Sequence, residues 1–97
     1  MINYVNANGD LVSATDAEVK EAIINFYGLR KFRVSVECDK TNGSLYHIYI
    51  FKSFLKTKEV EKLFLDSYEL TFDEDVSEFV FIIEFTKVLK ILKNKNN

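Results

Sequence analysis

Residues 71–93, TFDEDVSEFVFIIEFTKVLKILK, decide the fold, because they admit two readings that build different molecules. Read as one helix, the stretch opens on a capping box, Thr71 with Glu74. Asp73, Glu74, Asp75 and Glu78 then lie in its first turns and Lys87, Lys90 and Lys93 in its last, the order a helix dipole favours. Phe81, Ile82, Phe85, Val88, Leu89 and Leu92 fall on one side, but Val76, Phe79, Val80 and Ile83 fall nearly opposite, so the first half is apolar twice over. Read as a strand over 78–85, Phe79, Phe81, Ile83 and Phe85 alternate with Glu78, Val80, Ile82 and Glu84, and the β-branched and aromatic content suits a sheet. Residues 68–72 then supply the other arm of a hairpin, and only 87–93 remain helical. Capping and charge order favour the helix; the strand stays open beside it.

Upstream, the chain punctuates itself clearly. Residues 1–14 read as two short strands around Asn8-Gly9, the dipeptide suited to a two-residue hairpin loop, which pairs Val5 with Val12 and Tyr4 with Ser13. Thr15 and Glu18 form a capping box, Val19, Ala22, Ile23 and Phe26 follow at helical spacing, and Gly28 supplies a stop, so a helix is expected over 16–27. From Lys31 the period drops to two. Phe32, Val34, Val36 and Cys38 alternate with Lys31, Arg33, Ser35 and Glu37, and a second Asn-Gly, Asn42-Gly43, leads into LYHIYIF. A two-residue loop there sets Cys38 opposite His47, Val36 opposite Tyr49 and Val34 opposite Phe51, leaving Ile48 and Ile50 with Ser35 and Glu37. That register makes the second strand apolar on both faces, like a central strand covered twice. Thr57 is positioned to cap a shorter helix to about residue 67 with Val60, Leu63 and Phe64 inside.

The fold class expected is α+β: an antiparallel sheet of four to five strands, with two Asn-Gly hairpins, packed by two to three helices. The two hairpins, each followed by a helix, suggest a ββα unit used twice. The chain has 97 residues, 47% of them hydrophobic and 29% charged, so 1–97 reads as a single domain with a frayed tail at 94–97. A single cysteine forms no internal disulfide, no basic-then-apolar leader opens the sequence, and the longest apolar run, 79–83, is far short of a membrane span. These features point to a soluble, cytoplasmic protein. The excess apolar surface of 71–93 suggests either a helix buried on two sides or a homodimer interface through Val76, Phe79, Val80 and Ile83.

Most chemistries fail on residue supply. Zinc needs about four Cys or His ligands, and the chain has only Cys38 and His47. Three glycines, each assigned to a turn or helix end, leave none for a phosphate-cradling loop. No metal or other cofactor is expected. Cys38 and His47 as cross-strand neighbours resemble a thiolate–imidazole pair, but on an apolar face they read better as packing, so an enzyme is a remote alternative.

Charge segregation carries the functional expectation. Asp66, Glu69, Asp73, Glu74, Asp75, Glu78 and Glu84 crowd between residues 63 and 86 with no Lys or Arg among them until Lys87. The first six form a candidate acidic surface for docking on a larger basic partner, where complementary potential speeds and orients association. Basic grooves commonly hold nucleic acid, so the partner expected is a nucleic-acid-processing effector or a toxin. Anti-CRISPR inhibitors and toxin-neutralising immunity proteins, products of mobile elements among them, have this size and charge, although the chain carries no motif of either. The alternative is a nucleic-acid-binding module using Arg30, Arg33, Lys52 and Lys56 on the polar side of the central hairpin.

Overall fold

The structure is a computed structural model, describing residues 1–39 and 45–94. It resolves the 71–93 question for the strand. Residues Glu69–Asp73 and Glu78–Glu84 are strands, and a helix runs from Phe85 to Asn94. The elements in order are β1 (Ile2–Val5), β2 (Leu11–Ala14), α1 (Asp16–Phe26), β3 (Val34–Asp39), β4 (Leu45–Phe51), α2 (Thr57–Asp66), β5 (Glu69–Asp73), β6 (Glu78–Glu84) and α3 (Phe85–Asn94). The chain is thus α+β, and the hairpin–helix unit occurs three times rather than twice. β1 and β2 form a two-stranded sheet; the other four strands form an antiparallel sheet in the order β3-β4-β6-β5.

The long-helix reading fails because it leaves apolar side chains on two sides. In a strand the same residues sort by parity: Phe81 and Ile83 enter the main core, and Val80 and Ile82 take the other face. The acids at 73–78 therefore lie at a hairpin tip, not at a helix N-terminus, and no helix dipole accounts for them. The homodimer patch dissolves for the same reason. Ile83 is fully buried, Val80 points away from Phe79, and Val76 sits in the turn.

Both Asn-Gly registers move by one residue. In the first hairpin Tyr4 pairs with Val12 and Val5 with Leu11. Only Gly9 takes a positive φ, +85°, and its N–H donates to the Asn6 carbonyl at 3.0 Å, while Asn6 N–H donates to the Asp10 carbonyl. This is a three-residue loop with a glycine bulge, not a mirror-image turn in which both central residues need positive φ. The Asn6 carboxamide oxygen fixes it by accepting from the N–H groups of Asn8 and Asp10. The second Asn-Gly, Asn42-Gly43, lies outside the described residues. Its strands pair Val34 with Ile50, Val36 with Ile48, Glu37 with His47 and Cys38 with Tyr46.

That single-residue shift exchanges the two faces of β4. Val36, Tyr46, Ile48, Ile50, Phe81 and Ile83 now share one side, buried in one cluster with Val19 and Ile23 of α1, Leu63 of α2, and Val88 and Leu92 of α3. All three helices cover this side. β4 is central by its neighbours, yet only one of its faces is covered. α1 begins on the expected box, Thr15 Oγ1 accepting from Glu18 N–H and Glu18 accepting from Thr15 N–H. It ends at Gly28, φ +64°, where Leu29 N–H reaches back to the Ile24 carbonyl. α2 has Lys56 rather than Thr57 at its cap position, and Phe64 is exposed while Val60 and Leu63 are buried. Phe32 is not in a strand at all: residues Lys31–Arg33 make a 3-10 turn that leaves its ring 97% exposed. α3 reaches Asn94, and the remaining tail, 95–97, lies outside the described residues.

Candidate functional site

Pleating puts alternate residues of the four-stranded sheet on the side away from the helices. From β3 these are Ser35, Glu37 and Asp39; from β4, Leu45, His47, Tyr49 and Phe51. β6 adds Glu78, Val80, Ile82 and Glu84, and β5 adds Glu69, Thr71 and Asp73. The chemistry of this open face is lopsided. Six carboxylates stand on it, no Lys or Arg occurs among its strand residues, and its centre is an apolar stripe where His47 lies opposite Ile82 and Tyr49 opposite Val80. Ile82 is 8% exposed although it stands apart from the main core, shielded by its own neighbours on this face.

A polar chain crosses the stripe. Asp39 Oδ2 lies 3.7 Å from His47 Nε2, and His47 Nδ1 lies 3.4 Å from the Tyr49 hydroxyl. Tyr49 also hydrogen-bonds Glu37, and its hydroxyl is pushed above the usual tyrosine value, first by burial, then by Glu37, with smaller contributions from Glu78 and Asp39. The carboxylates that raise it come from two different strands, Glu37 and Asp39 from β3 and Glu78 from β6. Asp73 stands directly opposite Glu78, an arrangement that costs stability. At one end Phe32, Arg33 and Phe54 close the face beside Ser35, Phe51 and Glu78.

The expected acidic residues divide three ways. Glu69, Asp73 and Glu78 come together on the open face. Glu74 and Asp75 occupy the tip of the β5–β6 hairpin, where Asp75 N–H donates to Asp73 Oδ1. Asp66 is elsewhere, on the helix side, accepting from the Tyr27 hydroxyl at 3.0 Å and lying 3.6 Å from Lys87 Nζ. Sequence reasoning missed Glu37 and Asp39, together with His47 and Tyr49. Their signal was the polar parity of β3, lost when the wrong register sent His47 and Tyr49 to the covered side.

Arg30, Arg33 and Lys56 do converge, lining a shallow cleft with Leu29, Phe54 and Val60 at the end of the sheet. The Arg33 guanidinium lies 4.7 Å over the Phe54 ring. Lys52 is not in that lining; its backbone N–H donates to the Ser77 carbonyl beside the acidic hairpin. Cys38 and His47 are on opposite faces, so the structure does not assemble them as a pair. Cys38 instead faces Tyr46, whose hydroxyl is raised by burial and by the thiol. Among the described residues no group of His, Cys, Asp and Glu is arranged to hold a metal, and no helix is long and apolar enough to cross a membrane. No protein-family model, curated protein or solved structure matches the chain.

Proposed function

We propose that this chain is a small non-enzymatic binding protein that sets the open face of its four-stranded sheet on a basic surface of a larger protein, acting as an inhibitor or immunity-type protein. One observation carries the reading: Glu37, Asp39, Glu69, Asp73, Glu78 and Glu84 surround Leu45, His47, Tyr49, Val80 and Ile82 on a face no helix covers. An apolar centre within a polar rim is the anatomy of a protein interface. Asp73 and Glu78, directly opposed on this face, repel each other, and a basic partner relieves that repulsion while steering the encounter. A nucleic-acid-processing effector or a cationic toxin has such a surface. Affinity capture from the host, comparing the native chain with the Asp73→Lys/Glu78→Lys double variant, tests this. Loss of one captured basic protein in the variant supports the reading, and unchanged capture removes the face from it.

The cleft of Arg30, Arg33 and Lys56 with the Phe54 ring favours a second reading, single-stranded nucleic acid held by phosphate contacts and ring stacking. A gel shift with RNA or DNA oligonucleotides that weakens steeply with salt and is lost on Arg33→Glu supports it.

A further inference from the structure

We infer that β5 is an acceptor edge for an extended segment of the basic partner, which adds as a fifth strand to the sheet. The inference rests on the acidic-face reading above and specifies how that face is engaged. β5 is the outermost strand, bonded only to β6, and all five of its residues, Glu69 to Asp73, are exposed. The opposite edge, β3, packs against α1 and buries Val36. Outer strands are normally blunted by charged side chains, Pro or a bulge, and β5 has no Pro and pairs with β6 without a bulge. Its only charges are the acids at its two ends.

The pleat then dictates what fits. Leu70 and Phe72 project to the helix side, where the Phe72 ring lies 4.7 Å from that of Phe79, tilted by 47°, and both stay more than a third exposed. Glu69, Thr71 and Asp73 project to the open face. An added strand must therefore alternate, apolar opposite Leu70 and Phe72 and basic opposite Glu69 and Asp73: basic, apolar, any, apolar, basic. A second copy of the chain does not satisfy this. In the antiparallel register that pairs all five residues, each Glu69 meets the Asp73 of the other copy, and like charges oppose at both ends. In that full-overlap register the acids oppose self-association and favour a cationic strand.

The probe is a short synthetic peptide repeating Lys-Val-Thr-Val-Lys, titrated into isotope-labelled protein while amide shifts and hydrogen exchange are followed. The expected result is shifts centred on 69–73, slowed exchange in β5, and affinity about tenfold weaker for Glu69→Lys/Asp73→Lys. A peptide N-methylated at alternate positions keeps its charge and apolar groups but cannot pair as a strand, and it should not bind. Equal binding of the methylated peptide, or shifts confined to Glu37, Glu78 and Glu84, overturns strand addition while leaving the acidic-face reading intact. No response to either peptide, or to polylysine, overturns both. A dimer with β5 amides already protected in the free protein overturns the inference by showing the edge occupied.

Discussion

Replacing Glu78 by Lys should stabilise the free protein while destroying its docking surface. Glu78 stands directly opposite Asp73 in the β5–β6 ladder, and its field also reaches the Tyr49 hydroxyl. Two like charges at roughly 6 Å in a water-like dielectric repel by about 0.7 kcal/mol, and reversing one sign makes the total change about 1.4 kcal/mol. Screening trims this to about 1 kcal/mol at roughly 10 mM salt and about 0.2 kcal/mol at roughly 1 M. For a domain of this size 1 kcal/mol corresponds to about 4–8 °C in Tm. Thermal melts of Glu78→Lys and the native chain at low and high salt read the effect directly. A gain at low salt that disappears at high salt is the expected pattern. A loss of stability, or a gain indifferent to salt, refutes the claim that these acids are retained against the interest of folding.

Other expectations follow from the same geometry. Ile83→Ala, in a fully buried strand position, should cost about 2–5 kcal/mol, whereas Val80→Ala on the open face should cost under about 1.5 kcal/mol; equal costs in denaturant melts would contradict the face assignment. Ser77 closes the β5–β6 turn with φ +53°, so Ser77→Gly should stabilise by about 1 kcal/mol, and a destabilised variant would show that no strain resides there. Tyr27 and Tyr46 are held protonated, chiefly by burial, above the usual 10.0, so above that pH the native state binds more protons than the unfolded chain. The contribution of these two tyrosines should be constant below about pH 10 and fall above it by up to about 1.4 kcal/mol per pH unit for each group, with Tyr27→Phe shallower; a flat alkaline limb contradicts this.

Elements marked by local chemistry were legible in the sequence. The Thr15–Glu18 box and Gly28 delimit α1 almost to the residue, because each acts within a few positions of itself. Register was not legible, because Asn-Gly serves more than one loop. In the first hairpin Gly9 takes positive φ while Asn8 does not, the loop lengthens by one residue, and the pairing shifts. A shift of one is small in sequence and total in consequence: it brings His47 and Tyr49 to the acidic side and sends Ile48 and Ile50 inward. Residues 79–83 were ambiguous because apolar side chains at every position satisfy both periods, and the choice belongs to tertiary packing. The acids of 66–78 stood out in the sequence, yet only the strand pairing separates Asp66, held by Tyr27 and Lys87, from Glu69, Asp73 and Glu78 on the open face.

The most direct test of the central claim is amide hydrogen exchange on the free chain and on its complex with the captured partner. Slowed exchange is expected in β5 and β6, and in β4 from His47 to Phe51, with no change around Arg30, Arg33 and Lys56. Protection confined to that basic cleft, with β5 and β6 exchanging as in the free protein, would contradict it.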